Sequence, residues 1–314
     1  MSELYSENDW RNYQDSLEHH GIKGQEWGKK NGPPYPLDRE THGRVVRGDR
    51  VSDSKRRMHI KNPPSDGEYP KFTDDMAKKY LINHPIEKMG EMLRISKNAD
   101  INDIRFKINH PGDKTGRFYN CPNCATAFEM VERGYDVEAR PKKNGSNVED
   151  IESFFKNGSL KPSGVNELSD KTIDAWKAYK EYSNRPKPLR SDKTWDDLQN
   201  KYFYYHELDG ERAMKNTLKE IEDQGKGSRG IIVVGWFVEA DPSYKTTMFH
   251  ALNYKNENGK VVFYDTQSKR QYNGYTDSSF LQYDVDPREI FLMRTDNLEM
   301  SDRVGEAVAS RRKR

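Results

Sequence analysis

Asn120-Cys121-Pro122-Asn123-Cys124-Ala125-Thr126-Ala127-Phe128-Glu129-Met130-Val131-Glu132-Arg133-Gly134 is the stretch on which the fold turns. Pro122 suits a first helical position and Gly134 suits a stop, so the segment predicts a helix. Cys121 is expected at its N-cap, with Cys124 one turn further in. A helix N-terminus carries N–H groups without intrahelical partners and the positive end of the dipole, and both favour a thiolate. Either cysteine can be activated there. Cys121 is nearer the N–H groups, which can also bind an oxyanion.

A thiol nucleophile needs a base from elsewhere in the fold. Of the eight histidines, His19, His20, His42 and His59 fall in a polar arm. His84 and His110 each precede a proline, and His206 follows an aromatic run. His250 alone lies inside a predicted core strand, Met248-Phe249-His250-Ala251-Leu252. Two hairpin registers are open beyond it. A four-residue loop over 256–259 sets His250 opposite Asp265, whereas a two-residue Asn258-Gly259 turn sets it opposite Gln267. Residues two apart share a face, so Asp265 and Gln267 both face the way His250 does. An aspartate beside Nδ1 would fix the tautomer and stabilise imidazolium.

The cysteine pair admits other readings: a redox motif, half a zinc site or two buried structural thiols. The thioredoxin-like setting is missing, and no second CxxC or close histidine pair completes a zinc site. No metal and no cofactor is expected. Gly225-Lys226-Gly227-Ser228-Arg229-Gly230 matches GxGxxG but precedes a strand and opens no helix, so it fails as a dinucleotide site.

Around this nucleus the chain divides by composition. Residues 1–70 are polar and broken by Asn31-Gly32-Pro33-Pro34-Tyr35-Pro36, which predicts an extended arm. Within it, residues 19–28, with Ile22 and Trp27, read as a short docking peptide. Residues 71–300 are expected as the folded domain, with 141–208 a polar insertion or lid. Helices are predicted near 74–81, 85–93, 172–182, 194–204 and 210–223. Strands are predicted near 135–139, 230–238, 246–254, 260–265 and 289–294. Residues 301–314 are expected as a basic tail. The fold class is therefore α+β.

The 314 residues are 33% hydrophobic and 33% charged, which is polar for a globular chain. A formal net charge of +2 lacks the basic excess of a dedicated nucleic-acid binder. No apolar run long enough to span a membrane and no apolar signal core is present, so neither a membrane span nor ordinary secretion is expected.

The helix 120–130, followed by Arg133-Gly134-Tyr135-Asp136-Val137-Glu138-Ala139, resembles the papain-fold toxin family of glutamine deamidases. So do Ser228-Arg229-Gly230, Phe249-His250-Ala251-Leu252-Asn253 and Gly259-Lys260-Val261-Val262-Phe263-Tyr264-Asp265-Thr266-Gln267. The resemblance spans about residues 100–300. It implies a papain-like fold and a thiol amidohydrolase acting on a protein substrate, at a glutamine side chain or a peptide bond. The nucleophile falls on Cys121, the base on His250 and the orienting acid on Asp265, with Asn120, Gln267 and Cys124 as supporting or alternative residues. Two departures stand out. Relatives often carry Gly where Phe249 precedes the histidine, and Cys124 occupies the place a papain-type CxxC gives its nucleophile. Residues 19–28 are similar to a peptide of minor head and morphogenesis proteins of phages. That similarity implies a capsid or portal contact and a place in a virion or a bacterial cytoplasm. As the alternative to an enzyme, it implies a phage structural protein whose papain-like domain is a binding module.

Overall fold

The computed structural model describes residues 72–109, 117, 120–142, 149–164, 167–186, 191–236, 249–278, 281–282 and 285–311. The arm expected over 1–70 and the docking peptide at 19–28 lie outside the described residues.

The elements run α1 (Asp74–Asn83), α2 (Ile101–Phe106), α3 (Cys121–Glu132), β1 (Val137–Ala139), α4 (Glu149–Ser153), β2 (Lys161–Pro162), α5 (Asp170–Ser183) and α6 (Asp192–Asp223). There follow β3 (Arg229–Trp236), β4 (Phe249–Glu257), β5 (Lys260–Asp265), β6 (Arg270–Asn273), β7 (Val285–Arg294) and β8 (Val308–Ser310). Six strands form one antiparallel sheet in the order β2-β7-β3-β4-β5-β6. Helices cover both of its faces, and the architecture is α+β.

Strand alternation explains the two cores. Ile231 and Val233 of β3 join Ala251, Val262 and Met293 against Phe128 and Val131 of α3. Ile232 and Val234 join Leu252, Phe263, Ile290 and Leu292 against Ala213, Met214 and Ile221 of α6. The apolar run 231–234 is thus buried on both sides, which is why it shows no polar alternation.

Every residue of α3 from Cys121 to Val131 is buried. The helix lies between the sheet and an outer layer that includes α2 and a two-stranded β1–β8 ribbon. Its fully buried Glu129 carboxylate meets the Arg229 guanidinium at 3.1 Å. The stop at Gly134 is as expected, with φ of 85°.

Three boundaries differ from the sequence reading. Helices predicted over 194–204 and 210–223 are one continuous helix, α6. Gly210 does not break it: a Cβ there would sit 2.5 Å from the Val285 carbonyl oxygen, so the glycine lets α6 approach β7. The second early helix, 85–93, is only a 3₁₀ turn at Met89–Glu91. Within the stretch expected as a basic tail, β8 is a buried strand paired with β1, and Arg311 salt-bridges Asp136 at 3.3 Å. The alternation of Val308-Ala309-Ser310 is too short to read, and the neighbouring arginines mask it.

Candidate active site

The N-terminus of α3 sets the cysteines. Asn120 is the N-cap, so Cys121 is the first helical residue rather than the cap, and Pro122 follows it. Cys124 lies one turn in, and its N–H donates to the Asn120 carbonyl at 2.9 Å, the first bond of the helix. Both thiols are free and buried. Burial, and then the neighbouring Cys121, push the Cys124 thiol well above its ordinary value.

The β4–β5 hairpin sets the other two groups. Glu257 pairs with Lys260 across Asn258 (φ 57°) and Gly259 (φ 91°), so the two-residue turn is the register adopted. Continued, that register would place Gln267 opposite His250. The β4–β5 pairing ends at Asn253↔Tyr264, however, and Asp265 pairs with Arg270 of β6. His250 and Asp265 share a face two residues off register, and their side chains meet diagonally. Nε2 of His250 lies 3.0 Å from Oδ2 of Asp265. The aspartate thus engages Nε2 and not Nδ1, which leaves Nδ1 as the ring nitrogen for a thiol partner. Cys121 is that neighbour, close enough to raise the imidazole pKa.

Both members of the pair are buried. Burial opposes the imidazolium, but the Asp265 carboxylate outweighs it, and the His250 pKa rises to about 10. Burial likewise opposes the carboxylate, yet His250 and the Ser268 N–H, 3.0 Å from Oδ1, hold Asp265 down to about 2. The geometry therefore favours an imidazolium–carboxylate pair beside a thiol.

Gln267 is turned elsewhere. Its Nε2 donates to Asn120 Oδ1 at 3.2 Å and to the Arg117 carbonyl at 3.4 Å. Asn120 in turn donates to Asn109 Oδ1 and the Arg140 carbonyl, each at 3.2 Å. Asn123 donates to the same Arg140 carbonyl at 2.9 Å. These buried amides fix the entry into α3. Asn109 is the member that sequence reasoning misses, because Asn109-His110-Pro111 reads as a plain loop.

A cleft of about 160 Å³ borders Asp265, its walls including Arg105, Tyr264, Lys269 and Arg270. Among the described residues no group of three or more His, Cys, Asp or Glu is placed to hold a metal. Among them also, no helix is long and apolar enough to cross a membrane.

A helix-borne thiol beside an imidazole that is held by a carboxylate on a neighbouring strand is the arrangement thiol hydrolases use. Residues 119–270 match the family Papain fold toxin 1, glutamine deamidase. The matched stretch runs from just before α3 to the first residue of β6, and it contains Asn120, Cys121, Cys124, His250, Asp265 and Gln267. The sheet it builds is completed by β7 and β2, with β7 contributed from beyond the match. No curated protein and no solved structure matches the chain.

Proposed function

We propose that the chain is a protein-glutamine deamidase in which Cys121 is the nucleophile, His250 the acid–base group and Asp265 its orienting partner. The observation that carries this is the buried His250–Asp265 contact of 3.0 Å at the start of α3, beside Cys121. The family match over the same residues supports the glutamine side chain as the target.

In the first half-reaction the Cys121 sulfur attacks the γ-carboxamide carbon of a glutamine. The carbonyl π electrons move to oxygen, and the backbone N–H of Cys121, at a helix start where no intrahelical carbonyl accepts it, is a donor suited to that oxyanion. His250 has taken the thiol proton and gives it to the departing nitrogen. Ammonia leaves and a γ-thioester remains. In the second half-reaction His250 removes a proton from water, which attacks the thioester. Glutamate is released and the thiol is restored. Asp265, held ionised by His250 and Ser268, keeps the imidazolium in place through both halves.

The test is a comparison of wild type with Cys121→Ala after incubation with a bacterial lysate. Wild type should convert specific glutamines to glutamate by mass spectrometry, and Cys121→Ala should convert none. New peptide termini without converted glutamines would assign the site to a cysteine protease instead. Carriage by a phage particle rests on residues 19–28 alone; co-sedimentation of full-length chain with particles, lost on deleting those residues, is the result this part of the proposal requires.

A further inference from the structure

Cys124 takes no part in the chemistry above, yet it is buried one helical turn from Cys121. The two are the only cysteines in the chain. Residues three apart on a helix hold their Cβ atoms about 5–6 Å apart. A disulfide needs about 3.5–4.5 Å. Closing the gap takes about 1 Å, and the first turn of a helix is where such tightening is easiest. Among the described residues the Cys124 thiol is held by a weak S–H···O contact to Asn120 Oδ1 at 3.5 Å, so little is lost when it turns toward Cys121. His250 lies beside Cys121, which helps to raise it, so the imidazole is placed to take the thiol proton.

We infer that Cys121 and Cys124 form a reversible intramolecular disulfide when the protein meets hydrogen peroxide, and that this bond switches the site off while protecting its nucleophile. In the first step the Cys121 thiolate attacks one peroxide oxygen. An S–O bond forms, the O–O bond breaks, and hydroxide leaves. In the second step the Cys124 sulfur attacks the sulfenic sulfur. An S–S bond forms, the S–O bond breaks, and the hydroxyl departs as water with the Cys124 proton. Each sulfur is oxidised by one electron and the two peroxide oxygens are reduced to water. The second step outruns further oxidation to sulfinic acid because the resolving thiol is already in place. The bond itself does not depend on the deamidase reading; only the loss of activity rests on it.

The experiment treats the full chain, folded, with a small excess of hydrogen peroxide, then denatures it in iodoacetamide and reads the intact mass. Wild type should lose two hydrogens, take up no alkyl group, and run as a monomer without reductant. Dithiothreitol should restore two alkylatable thiols, and lysate deamidation should fall to the Cys121→Ala level and return with it. Cys124→Ser should instead gain oxygen at Cys121 irreversibly. Wild type alone decides if that variant does not fold. Oxygen added to wild-type Cys121 while Cys124 stays alkylatable, or a covalent dimer, would overturn the proposal. A disulfide that forms in a chain whose Cys121→Ala variant still deamidates would leave this inference standing and remove the proposed nucleophile.

Discussion

At the scale of single residues the account turns on His250 and Asp265. Loss of a charge-assisted hydrogen bond is worth about 1.5–3 kcal/mol, so Asp265→Asn should lower the deamidation rate about tenfold to a hundredfold while keeping the fold. Gln267→Ala should cost about 1 kcal/mol of stability through its lost amide bonds and leave the rate within a few-fold of wild type. A Gln267→Ala chain slower than Asp265→Asn would make Gln267 the working partner. The same pair sets a pH dependence. His250 is raised, so its contribution to stability is full below 6.5 and is lost as pH rises through about 10. Asp265 is lowered, so its contribution is full above 3.8 and is lost as pH falls through about 2. The difference in Tm between wild type and Asp265→Asn should be widest between pH 3.8 and 6.5 and shrink toward pH 10. A gap that stays constant over that range would sink the ion-pair account. The sequence carried the identities of these residues, because a histidine inside an apolar strand and an aspartate at the end of its hairpin partner are both visible. It did not carry the geometry of their pairing. Register arithmetic assumes a ladder that continues, and here the ladder ends at Tyr264 and the two side chains meet off register.

At the scale of elements, α3 and β3 hold the site in place. Phe128 is fully buried at the centre of the α3 core, where its ring lies 4.9 Å from that of Tyr264. Phe128→Ala should cost about 3–5 kcal/mol. Gly230 marks a tighter constraint. A Cβ there would lie 2.2 Å from the Met293 carbonyl oxygen and 2.5 Å from the Tyr254 hydroxyl. Gly230→Ala should therefore destabilise by about 1–3 kcal/mol although alanine suits a strand sterically elsewhere. Urea denaturation measures both, and a Gly230→Ala chain as stable as wild type would mean that β3 and β7 are not packed this closely. The central helix and β5 were legible because a proline, a glycine stop and a tight Asn-Gly turn bound them. The short pieces β2, β6 and β8 were not, since two to four residues carry too little periodicity to read. The gap predicted between 204 and 210 is absent, because Gly210 serves the close packing of α6 on β7.

At the scale of the whole molecule, segments near both limits of the described residues are tied together by a buried polar group. The Arg140 guanidinium donates to the carbonyls of His84, Pro85, Gly305 and Val308, which joins segments far apart in sequence. Ala307, Val308 and Ala309 are buried beside it. Removing residues 307–314 should therefore abolish cooperative thermal unfolding, whereas removing 312–314 should leave Tm unchanged. Equal Tm values for the two truncations would put β8 outside the fold. At the other end, a chain lacking residues 1–65 should keep the full deamidation rate; a truncated chain that fails to fold would make the arm part of the domain.

The central claim, that His250 activates Cys121 rather than Cys124, is tested most directly by site-resolved iodoacetamide labelling of the folded full-length chain at pH 7. Wild type should be alkylated at Cys121 well before Cys124, whose thiol burial holds protonated, and His250→Ala should slow Cys121 labelling to near the Cys124 rate. Faster labelling of Cys124, or Cys121 labelling unchanged in His250→Ala, would contradict the account.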